Sequence, residues 1–188
     1  MTRLTVRVVV LALAMVAMGC AGGRDMPVVS GVDAARYAGR WHEIAQIPNR
    51  FQRECAGDTV AVYSPDSDGT IAVDNSCRRA DGSREAAQGR ARFTDQPGIG
   101  RLEVTFVSVF GYPLWLASGD YWIVALDPDY RWSVVGHPGR DYGWILARSP
   151  EMPAATLRML RDRLADVGYD TCRFVVTAEP GRPRLCDL

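Results

Sequence analysis

Between residues 37 and 148 the chain is cut into eight short runs rich in Val, Ile, Thr, Tyr, Phe and Trp, and nothing helical interrupts them. The runs cover 41–47, 59–63, 70–77, 84–94, 101–108, 120–127, 132–137 and 142–148. Residues of these types suit a pleated, half-buried surface. The gaps hold turn formers: Pro65-Asp66-Ser67-Asp68-Gly69, Ala80-Asp81-Gly82, Gln96-Pro97-Gly98, Asp127-Pro128-Asp129 and Pro138-Gly139-Arg140-Asp141. Eight strands at this spacing predict an antiparallel meander, packed as a sandwich or closed as a barrel.

One segment, 153–167, has helical periodicity. Leu157, Leu160, Leu164 and Val167 form an apolar stripe opposed by Arg158, Arg161, Asp162, Arg163 and Asp166, with Pro153 in the first turn and Gly168 at the C-terminus. A short run, Phe174-Val175-Val176, follows as a last strand. Along the strands one phase is large and mostly apolar, as in Leu102/Val104/Phe106 and Tyr142/Trp144/Leu146. The other phase is mixed: Arg101/Glu103/Thr105 is polar, whereas Trp122/Val124/Leu126 is apolar. A strand apolar on both phases touches something outside as well, and the helix stripe fits that place. An eight-stranded barrel is wide enough to be filled by side chains or to hold one small ligand, and periodicity does not choose between them.

Residues 1–19 read as a signal peptide: Arg3 and Arg7 precede an apolar run at 8–18 that is too short to span a bilayer. The run ends in Ala17-Met18-Gly19-Cys20, which resembles the lipobox of bacterial lipoproteins. That resemblance implies an acylated (palmitoyl-bearing) Cys20 as the mature N-terminus, with 20–32 as a lipidated tether and 179–188 as a C-terminal tail. The absence of Asp after Cys20 implies the outer rather than the inner membrane. Acidic and basic side chains balance at 22 each, every basic one being Arg, so nothing favours nucleic acid as a partner. Cys55, Cys77, Cys172 and Cys186 form an even set, which an oxidising compartment turns into two disulfides. With two His and no close Cys pairs, neither a metal site nor a cofactor is expected.

Three stretches narrow the fold. They are Gly39-Arg40-Trp41 followed by His42-Glu43-Ile44-Ala45 and Asn49-Arg50-Phe51-Gln52; Leu126-Asp127-Pro128-Asp129-Tyr130; and Trp144-Ile145-Leu146-Ala147-Arg148. In this order they resemble the three signature regions of the lipocalins, and within that family the bacterial outer-membrane lipoproteins akin to apolipoprotein D. The resemblance covers 33–178. It implies an all-β fold, an eight-stranded antiparallel up-and-down β-barrel with one C-terminal α-helix packed outside. Gly39, Trp41, Asp129, Tyr130 and Arg148 become structural signature residues, with Arg148 lying across Trp41 at the closed end as a plug.

The same resemblance, with strand alternation, sends a set of side chains into the barrel as ligand-site candidates. They are Ala61 and Tyr63; Ile71, Val73 and Asn75; Phe93; Leu102, Val104 and Phe106; Tyr121, Ile123 and Ala125; and Tyr142, Trp144 and Leu146. Such a lining suits an acyl chain, with Tyr hydroxyls and Asn75 near the mouth for a polar head. The loop at 110–116, Phe110-Gly111-Tyr112-Pro113-Leu114-Trp115-Leu116, is unusually apolar; it is free to line the entrance, touch membrane, form a homodimer contact or fold over its own barrel. Counting outward from the 65–69 turn sets Cys55 opposite Cys77, leaving Cys172 for Cys186; a barrel-to-tail bridge such as Cys77–Cys186 or Cys55–Cys172 stays open.

His42 and His137 sit in no nucleophile motif, so the chain reads as a non-enzyme. The expected function is binding, storage or transport of a small hydrophobic ligand, a fatty acid or lysophospholipid, by a lipid-anchored protein on the periplasmic side of the outer membrane. A structural envelope lipoprotein with a filled barrel and, further off, a lipocalin-fold enzyme are the alternatives.

Overall fold

The computed structural model describes residues 26–178 and 181–188; the signal peptide and Cys20 lie outside them. A four-residue helix α1 (Ala34–Tyr37) leads into β1 (Gly39–Gln46), β2 (Gly57–Pro65), β3 (Ile71–Arg78), β4 (Arg84–Phe93) and β5 (Arg101–Thr105). A two-stranded hairpin, β6 (Ser108–Val109) and β7 (Tyr112–Pro113), precedes β8 (Gly119–Leu126), β9 (Trp132–Gly136) and β10 (Gly143–Ala147). Helix α2 (Ala154–Asp166) and β11 (Val175–Val176) follow. All pairings are antiparallel, in the order β10-β9-β8-β5-β4-β3-β2-β1-β11, and β1 also pairs with β10. That last ladder closes the barrel, so the expected eight strands are β1–β5 and β8–β10.

Local chemistry explains the turns. Asp68 accepts from the Thr70 amide and hydroxyl, and Asp81 does the same for Ser83, the side-chain turn for which Asp is favoured. Helix α2 ends in the expected way. Gly168 takes a φ of +88°, its amide reaches the Ala165 carbonyl and the Tyr169 amide reaches that of Leu164. Its buried stripe of Leu157, Leu160 and Leu164 packs on the outer barrel wall against Ile44, Ala45, Val134, Ile145, Phe174 and Val176. Gly143 has to be small there, because a Cβ would lie 2.6 Å from the Phe174 ring.

Several expectations shift. The strand expected over 101–108 stops at Thr105, whose buried hydroxyl accepts from the Val107 amide and donates to the Leu114 carbonyl, pinning the base of the β6–β7 hairpin. Residues 26–32, within the expected tether at 20–32, pack on the barrel. Met26 is buried in the outer cluster, and the Val29 and Val32 amides donate to Ile123 and Gly98. The tail is likewise docked, with Leu185 fully buried.

Disulfides join Cys55 to Cys77 and Cys172 to Cys186. Cys55 is not the cross-strand neighbour that symmetric counting placed there. The β2–β3 register sets Tyr63 opposite Val73 and Gly57 opposite Arg78, with a bulge between Gly57 and Val60. Cys55 therefore reaches Cys77 from the loop before β2, across a Cα–Cα distance of 5.5 Å.

One end of the barrel is sealed. The Arg148 guanidinium lies 3.9 Å from the centroid of the Trp41 ring and donates to the carbonyls of Arg40 (2.8 Å), Arg36 (2.7 Å) and Tyr130 (3.3 Å). Trp41 is fully buried and its indole N–H donates to the Tyr37 carbonyl at 2.8 Å. Gly39, with a φ of +89°, leaves room for the guanidinium, since a Cβ there would stand 3.4 Å from Arg148 Nη1. Asp33 caps α1 through the Ala35 and Arg36 amides, and its own amide donates to the Tyr130 hydroxyl at 2.8 Å. Charge-assisted hydrogen bonds and an Arg–aromatic contact of this kind are together worth about 2–3 kcal/mol at a partly exposed site. Arg148→Ala should therefore lower the unfolding free energy by that amount, read as a lower urea midpoint at an unchanged slope of the transition. Lost binding with unchanged stability would contradict a purely structural plug.

Candidate ligand-binding site

Eleven of the fifteen expected wall residues enter a single interior cluster with Trp41 and Tyr37. Tyr63, Ile71, Val73, Leu102, Ile123 and Leu146 are buried in it, and Ala61, Phe93, Val104, Tyr121 and Trp144 are half-buried against it. Asn75, Phe106 and Tyr142 lie outside that cluster, towards the loops at 47–56, 79–83, 106–118 and 137–142 that ring the unsealed end. Phe106 covers Gly89, where a Cβ would come within 2.8 Å of its ring. Tyr142 stacks on Trp144 at 6.1 Å with 5° between the planes and meets Phe51 at 5.9 Å, so an aromatic edge rims the mouth.

The lower interior is braced by tyrosines. Tyr121 Oη lies 3.0 Å from Tyr37 Oη and 2.9 Å from Tyr63 Oη, and Tyr37 donates to Ser133 at 3.0 Å. The hydroxyls of Tyr63 and Tyr121, expected near the mouth, are thus engaged with the plug helix and each other. Burial pushes the Tyr37 hydroxyl up to about 12, and those of Tyr63 and Tyr121 further above the ordinary tyrosine range. All three stay neutral donors at physiological pH.

Two further placements differ from the strand reading. Ala125 belongs to the outer cluster beneath α2, because a bulge between Ile123 and Ala125 reverses the phase of β8. Asp129 is exposed on its turn. The buried carboxylate is Asp127, which accepts from the Asp129 and Arg131 amides and from the Arg131 guanidinium at 2.7 and 3.0 Å. Those bonds hold its carboxyl below the usual carboxylate range. Tyr130 still joins the plug, through Arg148, Asp33 and the Arg36 guanidinium 4.2 Å from its ring centroid.

A polar network inside the mouth was not singled out from the sequence. The Trp144 indole N–H donates to Gln52 Oε1 at 3.0 Å, and the Gln52 amide donates to Glu43 at 2.5 Å. Glu43 also accepts from the Thr177 hydroxyl at 2.9 Å. Asn49 bridges Gln46 and Gln52 at 2.7 and 2.8 Å. The β1–β10 register pairs Glu43 with Leu146 and Gln46 with Trp144, so both share the inward face. Glu43, on the phase of Trp41, was the available signal; Gln46 falls on the opposite phase and reaches the inward face only through the bulge between Glu43 and Ala45. Asn75 adds a further polar atom: its Oδ1 is buried with no hydrogen-bond partner. Among the described residues, no group of three or more His, Cys, Asp or Glu side chains gathers as a metal site would need.

A Lipocalin-like domain model matches residues 32–179. The chain belongs to the lipocalins. Relatives include temperature-induced lipocalin-1 of Arabidopsis thaliana, 37% identical over 85% of this chain and 86% of that protein. The outer membrane lipoprotein Blc of Escherichia coli is 35% identical over 84% of this chain and 85% of its own. Among solved structures, insecticyanin from the tobacco hornworm superposes with a TM-score of 0.63 at 23% identity, over 81% of this chain and 84% of that one. Lipocalins bind small hydrophobic ligands and are mainly binding or transport proteins.

Burial raises the Glu43 pKa above the usual carboxylate range, against the lowering by Gln52, Thr177 and Arg182. A carboxyl raised in the folded state is neutral in both states at acid pH. As pH rises the unfolded chain ionises first, so Glu43 makes the fold progressively less stable. The Tm of the wild type should therefore fall relative to Glu43→Gln as pH rises above the unfolded carboxyl value of about 4, and the two should converge at lower pH. A gap that does not vary with pH would show that Glu43 is not the titrating group.

Proposed function

We propose that this lipocalin carries a single-chain amphiphile, a fatty acid or a lysophospholipid, storing or transporting it in the cell envelope. The acyl chain lies along the apolar wall formed by Ala61, Val73, Val104, Phe106 and Trp144, above the tyrosine-braced floor. Ile71, Phe93, Leu102, Ile123 and Leu146 close that floor beneath it. The head group stays at the mouth among Gln52, Glu43, Asn75 and Tyr142. Acylated Cys20 holds the barrel to the outer membrane on its periplasmic side. The name of the Escherichia coli relative, an outer membrane lipoprotein, supports that location.

The observation that carries this reading is the unpaired Asn75 Oδ1. A buried acceptor without a donor costs about 1–3 kcal/mol, and here it sits on the inward face of an apolar wall, opposite Ala61 and Ala87. It needs a donor. The glycerol hydroxyl of a lysophospholipid supplies one, whereas an ionised carboxylate does not.

Titrating intrinsic tryptophan fluorescence tests the reading. Lysophospholipid and fatty acid should each give saturable quenching or a blue shift that Trp144→Phe largely removes. Asn75→Leu should keep or raise the Tm, because it deletes an unpaired buried acceptor, while weakening lysophospholipid binding about tenfold. No response to any lipid would favour a filled, purely structural barrel, for which the packed lower half speaks.

A further inference from the structure

The wall between β4 and β5 is only half closed. Their ladder runs from Phe93 opposite Leu102 to Arg90 opposite Thr105 and stops, so 84–89 has β3 on one side and no strand on the other. The Thr94 amide donates to the Arg101 carbonyl. Counting in twos from that pair, Arg92 and Arg90 turn both main-chain groups towards β5, and Gln88 and Ala86 come next, opposite Val107 and Val109. Val107 does not answer them. Its amide donates to the Thr105 hydroxyl and its carbonyl accepts from the Leu114 amide, a local hydroxyl bond competing with the ladder. The apolar loop beyond is held on the outer wall, where the Arg92 guanidinium lies 4.1 Å from the Trp115 ring centroid and Ser118 donates to Glu103, while Phe110 at its tip is exposed.

The edge left behind borders the ligand cavity. Ala86, Ala87 and Gln88 are all exposed. Ala87 stands opposite Asn75 on the inward phase, so its exposure marks an opening into the barrel. The Phe106 ring against Gly89 forms the lower end of that slot. Edges of this kind are usually blunted by proline, charge or a bulge. Ala86-Ala87-Gln88 carries none of these and pairs with β3 in unbroken register. Ala86 and Gln88 each present one donor and one acceptor to the slot. Asn75 Oδ1, the buried acceptor without a donor, lies one strand away.

We propose that the bare edge of β4 seats the ligand's head group, which turns sideways through the slot and bonds the main chain of Ala86 and Gln88. The inference rests on the carrier reading and narrows it. An N–H beside a C=O is satisfied by a group that both donates and accepts. A bare carboxylate meets the N–H and is repelled by the carbonyl. The class selected is a glycerol ester with a free hydroxyl, which monoacylglycerols and lysophospholipids share. Its hydroxyl also gives Asn75 the missing donor, while the tail stays on the apolar wall.

Proline substitution in the full-length protein tests this, because on an edge it deletes a donor that the fold does not use. Ala86→Pro and Gln88→Pro should each keep a Tm close to that of the wild type, whereas Ala87→Pro, which removes a ladder bond to β3, should lower it. In either edge variant the preference for monooleoylglycerol over oleate, read by tryptophan fluorescence, should fall about fivefold. In the wild type the Ala86 and Gln88 amides should exchange rapidly with deuterium. Both monooleoylglycerol and oleoyl-lysophosphatidylethanolamine should slow them, and oleate should not. Protection by the lysophospholipid alone would overturn the glycerol assignment in favour of its phosphate. Slow exchange without lipid, or a large loss of Tm in both edge variants, would show that the edge is already paired. If that slow exchange tracks a dimer in sedimentation, a second copy holds the edge and the site is equally overturned. Saturable binding of these lipids with unchanged preference and rapid exchange sinks the edge site alone. No saturable binding of any of them sinks the carrier reading and this site with it.

Discussion

The contact between Arg148 and Trp41 is the point on which the barrel turns. A guanidinium cannot be deprotonated and offers five donors in a fixed plane. Here that plane covers the indole while its edges serve carbonyls from β1, α1 and the β8–β9 turn. Arg36 and Arg40 lie one short step apart in the chain and Tyr130 far from both, and the Asp33–Tyr130 bond and the Arg36–Tyr130 contact support the same closure. Their convergence brings Tyr37 beneath the floor, and Tyr37 in turn organises Tyr121, Tyr63 and Ser133 into one hydrogen-bonded layer. Sealing the barrel at this end fixes where its opening lies.

The strand pattern made the closed barrel legible, and alternation placed most of the wall, because a period of two is rigid wherever a strand is regular. It failed where regularity fails. The bulge in β8 turned Ala125 outward while leaving Tyr121 and Ile123 inside, and the turn that pairs Pro65 with Ile71 set a β2–β3 register in which Cys55 does not face Cys77. A bulge inserts one residue and leaves little trace in composition. The acid of the second signature was also misplaced, since Asp127 and Asp129 differ only in which one the turn folds inward. Helix α1 was missed because four residues carry no periodicity.

The mouth was the least legible part, for a different reason. Glu43 and Gln46 share the inward face only because of the bulge between Glu43 and Ala45, and nothing in β1 alone says what would satisfy them. Their partners come from a loop segment at Asn49 and Gln52, from Trp144 on β10 and from Thr177 after the helix. A network assembled from three distant pieces of chain is visible only once the barrel has closed. The single polar candidate that alternation did identify, Asn75, is the one the chain leaves unpaired.

These features give the interior a direction. At the sealed end the hydroxyls of Tyr37, Tyr63, Tyr121 and Ser133 are engaged with one another and the aromatic side chains touch. Towards the mouth the wall becomes half-buried, Gln52 and Glu43 hold a polar edge, and one acceptor lacks a donor. An apolar molecule without a head group would satisfy only the wall, and a polar one only the edge. On the proposed carrier reading an amphiphile would satisfy both, entering tail first because the unmet hydrogen bond lies nearer the opening than the floor.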